Sequence, residues 1–169
     1  MYGCITMESM PPWTVKVSRL VFGAVLATWS AGVAQADPAA AACETDQRCE
    51  ALRAFFQRHG SPLARTATVF LAAADRHGLD WRLLPAISIV ETGGGRHGRK
   101  GNVFGWNSGR TRFKTIEAGI EFVAQRLARS PIYAGRTAMG ILQKYNPARK
   151  VYAERVSQKM MELSPEPVR

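Results

Sequence analysis

The sequence contains little of what metal enzymes and disulfide-rich domains need. It has three cysteines and three histidines in 169 residues. The histidines, His59, His77 and His97, lie on separate segments and lack the spacing of zinc ligands. Three cysteines are too few for a zinc cluster or a disulfide framework. We therefore expect no metal and no other cofactor.

Acidic residues are also scarce, since 13 Asp and Glu stand against 23 Lys and Arg, a formal net charge of +10. Hydrophobic residues make up 46% and charged residues 21%, which is typical of a globular protein and excludes a disordered chain. The length allows a single domain. A surface this basic suits an anionic polymer, such as nucleic acid, acidic lipid or an anionic cell-wall glycan.

Long apolar runs are missing except near the N-terminus. Lys16 and Arg19 precede an apolar segment, residues 20–33, and residues 34–36 (AQA) have the small-x-small pattern of a signal-peptidase site. The segment is shorter than the ~20 residues that span a bilayer. We therefore predict a signal peptide over residues 1–36, export to the periplasm or cell wall, and no stable membrane span after its removal. An uncleaved N-terminal anchor is the alternative.

The mature chain would retain 21 basic and 12 acidic residues, because the signal peptide removes two of the former and one of the latter, leaving +9. It would also retain two cysteines, Cys43 and Cys49, in an oxidising compartment. We predict a structural disulfide between them, since a redox or metal pair would have CxxC spacing. An exported chain without a recognition helix or an aromatic-basic sheet motif is not expected to bind nucleic acid.

The mature sequence predicts a mainly α fold. A linker and a short helix with the cysteine pair occupy residues 37–61, a helical domain residues 62–163, and a C-terminal tail residues 164–169. Residues that favour helix N-caps precede the apolar periodic segments of the domain: Ser61, Asp80, Thr115, Thr137 and Asn146. At most a small hairpin is expected, between residues 103–106 and 111–113.

A glycine-rich loop, residues 92–112, follows Glu91 at the end of one predicted helix. The loop contains seven glycines and no carboxylate. The negative end of the helix dipole and burial would both favour the protonated form of Glu91. A carboxylic acid that is protonated near neutral pH can act as a general acid on a glycosidic oxygen. Taken alone, however, Glu91 could equally be an exposed residue before a glycine cap.

The loop also has the residue types that bind sugars. Phe104 and Trp106 offer aromatic faces, and Asn102 and Asn107 offer amides for hydroxyl or N-acetyl groups. We expect one of the two aromatic residues to belong to the core. Six basic residues flank these positions, and their simplest interpretation is a solvated rim: Arg96, Arg99, Lys100, Arg110, Arg112 and Lys114.

Four segments in order along the chain resemble the lysozyme-like superfamily: GLDWRLLPAISIVETGGG, NVFGW, FKTIEAGI and YNPxxxxYAxxV. The resemblance is closest to its glucosaminidase and soluble lytic transglycosylase branch and covers about residues 62–163. It implies a lysozyme-like helical domain with a long active-site loop. The implied activity is cleavage of peptidoglycan glycan strands.

The same resemblance implies roles for individual residues. Glu91 falls on the catalytic acid of that family, and Tyr145 on a tyrosine that faces the acid across the cleft. Asn102, Phe104 and Gly105 fall on the block that lines the cleft, and Trp106 follows directly. Tyr152 matches a second aromatic residue, which we expect at the substrate site or packed against the last helix.

The sequence lacks an obvious second catalytic carboxylate. Glycosidases usually place two carboxylates about 5–5.5 Å apart when retaining and ~6.5–9.5 Å apart when inverting. The next acid after Glu91 is Glu117, within a predicted helix, and no Asp follows Asp80. We therefore expect Glu91 to serve as both acid and base, with the substrate N-acetyl group stabilising the cation.

Three functions remain open at this point. If the sugar's own 6-hydroxyl attacks, the protein is a lytic transglycosylase; if water attacks, it is a hydrolytic N-acetylglucosaminidase. The same fold could instead be a non-catalytic peptidoglycan-binding module of an envelope-spanning secretion or appendage machine.

Overall fold

Six α-helices and one 3-10 helix form the part of the chain that the computed structural model describes, residues 46–99, 101–148 and 151–168. They are α1 (Gln47–Arg58), the 3-10 helix (Pro62–Thr66), α2 (Ala67–His77), α3 (Leu83–Thr92), α4 (Ile116–Arg129), α5 (Ala138–Tyr145) and α6 (Tyr152–Leu163). No strand occurs within these ranges. The predicted mainly α fold is therefore confirmed. The proposed signal peptide, residues 1–36, lies outside the described residues.

Most helix ends follow the predicted capping residues. The hydroxyl of Ser61 accepts a hydrogen bond from a backbone N–H two residues on, and those of Thr115 and Thr137 from N–H groups three residues on. Each hydroxyl satisfies a donor that has no partner inside its helix. Gly78 ends α2 in the left-handed region, at φ 63°.

Two helices begin later than predicted. Asp80 accepts hydrogen bonds from the Arg82 backbone and guanidinium, so a turn precedes α3, which begins at Leu83. The last helix begins at Tyr152 rather than near Asn146, which lies at the end of α5. Pro147 follows it, and a residue before proline is disfavoured in helical conformation.

The expected hairpin does not form among the described residues. Residues 103–106 and 111–113 adopt turns and irregular backbone. The Asn102 amide bridges them instead, donating from Nδ2 to the Trp106 oxygen at 3.0 Å and to the Thr111 oxygen at 2.9 Å. A side chain thus does what ladder hydrogen bonds would do in a hairpin, and the loop keeps a fixed shape without strands.

The core is built around α3 and a group of buried aromatic rings. Helix α3 packs against α6, and α2 packs against α4. Phe56, Phe70 and Phe104 are fully buried, and successive ring centroids lie 5.2 Å and 6.2 Å apart. Phe104 belongs to the loop, so the aromatic core anchors the loop to the helices. Of the two loop aromatic residues, Phe104 and Trp106, Phe104 is therefore the one that belongs to the core.

Both ends of the described chain are tied to the core. Cys49 is fully buried and disulfide-bonded, while its predicted partner Cys43 lies outside the described residues. At the other end, the buried Arg82 guanidinium donates to the backbone oxygens of Ser164 and Glu166 at 3.1 Å and 2.6 Å. The C-terminal tail is therefore held against the start of α3.

Candidate active site

Glu91 lies in the last turn of α3, where the helix meets the glycine-rich loop. Gly93 and Gly94 follow with φ of 62° and 68°, and their N–H groups donate to the carbonyls of Ile89 and Ser88. These left-handed residues end the helix within two positions of Glu91. The carboxylate is thereby placed at a helix end and beside the loop.

Small hydroxyl side chains fix the loop against the helices. Thr92 Oγ1 donates to the Val103 oxygen at 2.6 Å and accepts from the Gly95 N–H at 2.9 Å. Ser61 Oγ donates to the Gly94 oxygen at 2.6 Å. Because these hydroxyl groups are buried, the hydrogen bonds are costly to break. The loop backbone near Glu91 is therefore well positioned.

A cleft of about 720 Å³ opens at this point. It is lined by residues from the end of α3, the loop, the α4–α5 connection and the end of α5: Glu91, Phe104, Gly105, Trp106, Asn107, Ser108, Thr111, Tyr133, Tyr145 and Asn146. The structure thus brings together six residues that the sequence singled out. They are Glu91, Phe104, Gly105, Trp106, Asn107 and Tyr145.

Gly105 lets the loop backbone approach the Glu91 carboxylate. Its φ is 60°, and a Cβ atom built there would lie 3.2 Å from Glu91 Oε2. Any other residue would pay a conformational cost and crowd the carboxylate. Gly105 therefore shapes the floor of the cleft directly beside Glu91.

Tyr145 holds its hydroxyl in a defined direction. The hydroxyl donates to the Phe104 backbone oxygen at 3.0 Å. Burial first, and then the charges of Glu91 and Tyr133, raise the pKa of Tyr145 above its ordinary value. The hydroxyl therefore stays protonated. Since its hydrogen points at Phe104, its oxygen lone pairs are the part available to a ligand.

Tyr152 lies behind Tyr145 and does not line the cleft. The two rings stack with centroids 5.7 Å apart and planes 6° apart, and Tyr152 is 2% exposed. Burial first, and then the charge of Glu91, raise the pKa of Tyr152. Its hydroxyl lies near the Glu91 carboxylate, whose charge and side-chain hydrogen bond both act to raise that pKa. Tyr152 supports Tyr145 from the start of α6 rather than contacting substrate.

Asn102 and the Phe104 side chain also lie outside the cleft surface. Asn102 is 2% exposed, and its amide binds the backbone of Trp106 and Thr111. The predicted role of Asn102 in substrate binding is therefore replaced by a role in holding the loop. Phe104 contributes its backbone to the site while its ring is in the core.

Trp106 remains the aromatic side chain of the loop that a ligand can reach. It is partly buried, and its ring meets Tyr145 and Phe122 edge-on at centroid distances of 5.9 Å and 5.8 Å. Edge contacts on both neighbours fix the ring orientation. Such a fixed, partly exposed ring is suited to stacking on a sugar.

Tyr133 and Asn146 line the cleft but were not identified from the sequence. Tyr133 lies in the connection between α4 and α5, and burial raises its pKa. Asn146 directly follows α5. An aromatic residue in the turn SPIYAG was the one available signal for Tyr133. Nothing in the local pattern around Asn146 separated a binding residue from an ordinary turn residue.

Glu91 is the one acidic residue in the lining of this cleft. Glu117 is exposed in the first turn of α4, and Glu121 binds His77 and Arg76 between α2 and α4. No group of His, Cys, Asp and Glu able to hold a metal ion occurs among the described residues. The arrangement can donate and accept one proton at Glu91, beside an oriented tyrosine oxygen.

No protein-family model matches the chain, and no curated protein matches it. The likeness to lysozyme-like enzymes therefore rests on the four sequence segments alone. In the described part of the chain, no helix is both long and apolar enough to cross a membrane.

Proposed function

We propose that this protein cleaves the β-1,4 glycan strands of peptidoglycan as a lytic transglycosylase, with Glu91 as its single general acid and base. The proposal depends chiefly on one observation. Glu91 lines a cleft beside Trp106 and Tyr145 that has no second acid in its lining. The four sequence segments that resemble lysozyme-like enzymes support the same assignment.

The first step requires a proton on Glu91. The carboxylic acid donates it to the glycosidic oxygen as the bond from that oxygen to the anomeric carbon breaks. The carbonyl oxygen of the substrate's N-acetyl group then bonds to the anomeric carbon and shares its positive charge. Glu91 is left as a carboxylate, which a charged intermediate favours.

The second step regenerates Glu91. Its carboxylate removes the proton from the 6-hydroxyl of the same sugar, whose oxygen attacks the anomeric carbon and displaces the N-acetyl oxygen. The product carries a 1,6-anhydro ring. If water takes the place of the 6-hydroxyl, the same protons move and the product has a reducing end, as in an N-acetylglucosaminidase.

Tyr145 supports this chemistry through its orientation. Its hydroxyl donates a hydrogen bond to the Phe104 carbonyl oxygen at 3.0 Å. Its oxygen can then direct a lone pair toward the positive charge that develops near the N-acetyl group. Trp106 offers the face on which a sugar ring can rest.

The decisive test is Glu91→Gln. We expect this variant to fold like the wild type and to lose at least a hundredfold in activity, since a general acid contributes ~10²–10⁴ in rate. Purified sacculi would be digested and the released muropeptides identified by mass spectrometry. Glu117→Gln, an exposed glutamate outside the cleft, is the matched control and should retain activity.

The outcomes separate the candidate functions. Products with 1,6-anhydro ends identify a transglycosylase, and reducing ends identify a hydrolase. A folded Glu91→Gln protein with wild-type turnover would refute the role of Glu91. A wild-type protein that binds sacculi without releasing muropeptides would be a peptidoglycan-binding module.

A further inference from the structure

A second cavity lies next to the cleft on the same loop. Its volume is about 810 Å³, and its lining is Arg99, Ser108, Gly109, Arg110 and Arg112. Ser108 lines both cavities. The basic pocket, as we call this cavity, therefore adjoins the cleft that contains Glu91.

Within the described part of the chain, the three arginines of the basic pocket have no acidic partner. Elsewhere, Arg48, Arg76 and Arg82 each bind a carboxylate within 3 Å. Arg99, Arg110 and Arg112 make no ion pair among the described residues, and their loop has no acid.

The three arginines are exposed at one cavity, so an anion in that cavity would be attracted by all three guanidinium groups. Like charges that line a concave surface focus a positive potential within it. The planar fork of a guanidinium matches the two oxygens of a carboxylate. The chemistry of the basic pocket therefore favours an oxyanion, and its position places that oxyanion beside whatever the cleft holds.

We propose that the basic pocket binds a carboxylate of the peptide stem that peptidoglycan strands carry, so that strands with stems are cut in preference to bare strands. This inference rests on the proposed function. Peptide stems branch from the glycan and end in carboxylates. A strand in the cleft would bring such a stem to an adjoining cavity, and Ser108 joins the two.

The first experiment compares two substrates. The activity of the wild type is measured on glycan strands with their stems and on strands from which an amidase has removed them. We expect kcat/KM to be at least tenfold higher for strands with stems. The double variant Arg110→Gln/Arg112→Gln should lose this preference, mainly through a higher KM on stem-bearing strands, with less than a threefold change on bare strands.

A matched control removes the same charge elsewhere. Arg65 and Arg129 are exposed and distant in sequence from the loop. The double variant Arg65→Gln/Arg129→Gln should keep the preference for stems. An equal loss in both double variants would mean that net charge, rather than the basic pocket, sets the preference, and would refute the proposal.

The second experiment needs no catalysis. Binding of the free stem peptide to the full-length Glu91→Gln protein is measured by calorimetry, with the same peptide carrying amidated carboxylates and with inorganic phosphate. The free peptide should bind at least tenfold more tightly than either. Arg110→Gln/Arg112→Gln, added to Glu91→Gln, should abolish this difference.

The two proposals can fail separately. If the wild type cuts neither kind of strand, the proposed function fails, while the calorimetry still tests the basic pocket. If phosphate binds as tightly as the peptide, the basic pocket is a general anion site and the stem-peptide proposal is wrong. Cleavage of both strands with equal kcat/KM would also refute it.

Discussion

At the scale of single residues, the tyrosine facing Glu91 gives the most direct test of the chemistry. Tyr145 lines the cleft, and Tyr145→Phe removes the hydroxyl that donates to the Phe104 carbonyl. Loss of one oriented electrostatic contact commonly costs ~10²–10³ in rate. We expect kcat to fall at least tenfold with KM nearly unchanged, measured on purified glycan strands.

The control for Tyr145 is its stacking partner. Tyr152→Phe also removes a buried hydroxyl, but Tyr152 does not line the cleft. The Tyr152 hydroxyl acts on Glu91 but has no direct access to the cleft, so kcat should fall less than in Tyr145→Phe. Thermal unfolding of both variants would separate a lost hydrogen bond from lost catalysis. Equal effects on kcat would mean that the tyrosine pair acts only through packing.

A second residue-scale prediction concerns Gly105, the glycine beside Glu91. Gly105→Ala places a Cβ atom 3.2 Å from Glu91 Oε2 at a φ of 60°. The left-handed backbone alone costs about 1–2 kcal/mol for a residue with a side chain. We expect the Glu91 carboxylate to shift as well, and activity to fall at least tenfold in a protein that still folds.

Gly78→Ala is the matched variant for this prediction. Its φ is 63°, and a Cβ atom there would meet nothing within 4 Å. It should lower the melting temperature about as much as Gly105→Ala but leave kcat unchanged. If both variants retain full activity, the close approach of the loop to Glu91 is not needed for catalysis.

At the scale of helices, a histidine–glutamate pair joins α2 to α4. His77 Nε2 lies 2.8 Å from Glu121 Oε1, and Arg76 contacts the other oxygen at 2.6 Å. The hydrogen bond from His77, followed by the charges of Arg76 and His77, lowers the pKa of Glu121 below its ordinary 4.5. The Glu121 carboxylate therefore stabilises the folded protein only while it is ionised.

The sign of the pH dependence follows from this lowered pKa. The stabilisation is complete above pH 4.5, the unfolded value, and is lost as the pH falls through the lower folded value. Glu121→Gln should thus lower the melting temperature at pH 7. The pair is partly exposed, so we expect no more than about 1 kcal/mol.

Melting curves of the wild type and Glu121→Gln at pH 7 and pH 3 check this expectation. The difference between the two proteins should shrink at the lower pH. Glu117→Gln is the control, because that carboxylate is exposed on the same helix. A difference that is independent of pH would show that Glu121 acts by packing rather than by charge.

Local signals in the sequence predict the elements well where a single side chain decides the outcome. Ser61, Thr115 and Thr137 begin their helices because the capping hydrogen bond is made within three residues. The missing hairpin depends on a longer contact. The Asn102 amide donates to the Thr111 oxygen nine residues away. No local pattern distinguishes an amide that holds a loop from one that binds a ligand.

The residues of the candidate site also divide into those that the sequence indicates and those that only the tertiary fold places there. The sequence indicated Glu91 and Gly105 through the segments that resemble lysozyme-like enzymes, and both residues line the cleft. Tyr133 and Asn146 reach the cleft only because the α4–α5 connection and the end of α5 fold over it. Tertiary placement decided these residues, so a single sequence could not reveal them.

At the scale of the whole molecule, the net charge predicts how binding to an anionic polymer depends on salt. The mature chain would carry +9, from 21 basic and 12 acidic residues, and the loop beside the cleft is basic without a carboxylate. Exposed charges are screened beyond ~8 Å at physiological ionic strength. Binding to anionic sacculi should therefore weaken steadily as salt is raised.

Cosedimentation with purified sacculi over a series of NaCl concentrations measures this effect, and cleavage of a short uncharged glycan oligosaccharide serves as the reference. Arg99→Glu should weaken cosedimentation because Arg99 faces the basic pocket, and it should slow cleavage of the uncharged substrate less. Lys100, the next basic residue of the loop, lies outside the described residues. Long-range attraction depends on the surface charges, whereas bond cleavage depends on the cleft. Salt should therefore weaken cosedimentation more than it slows cleavage of the uncharged oligosaccharide. Binding that does not change with salt would mean that the positive charge serves solubility, and that recognition depends on the uncharged surface of the cleft.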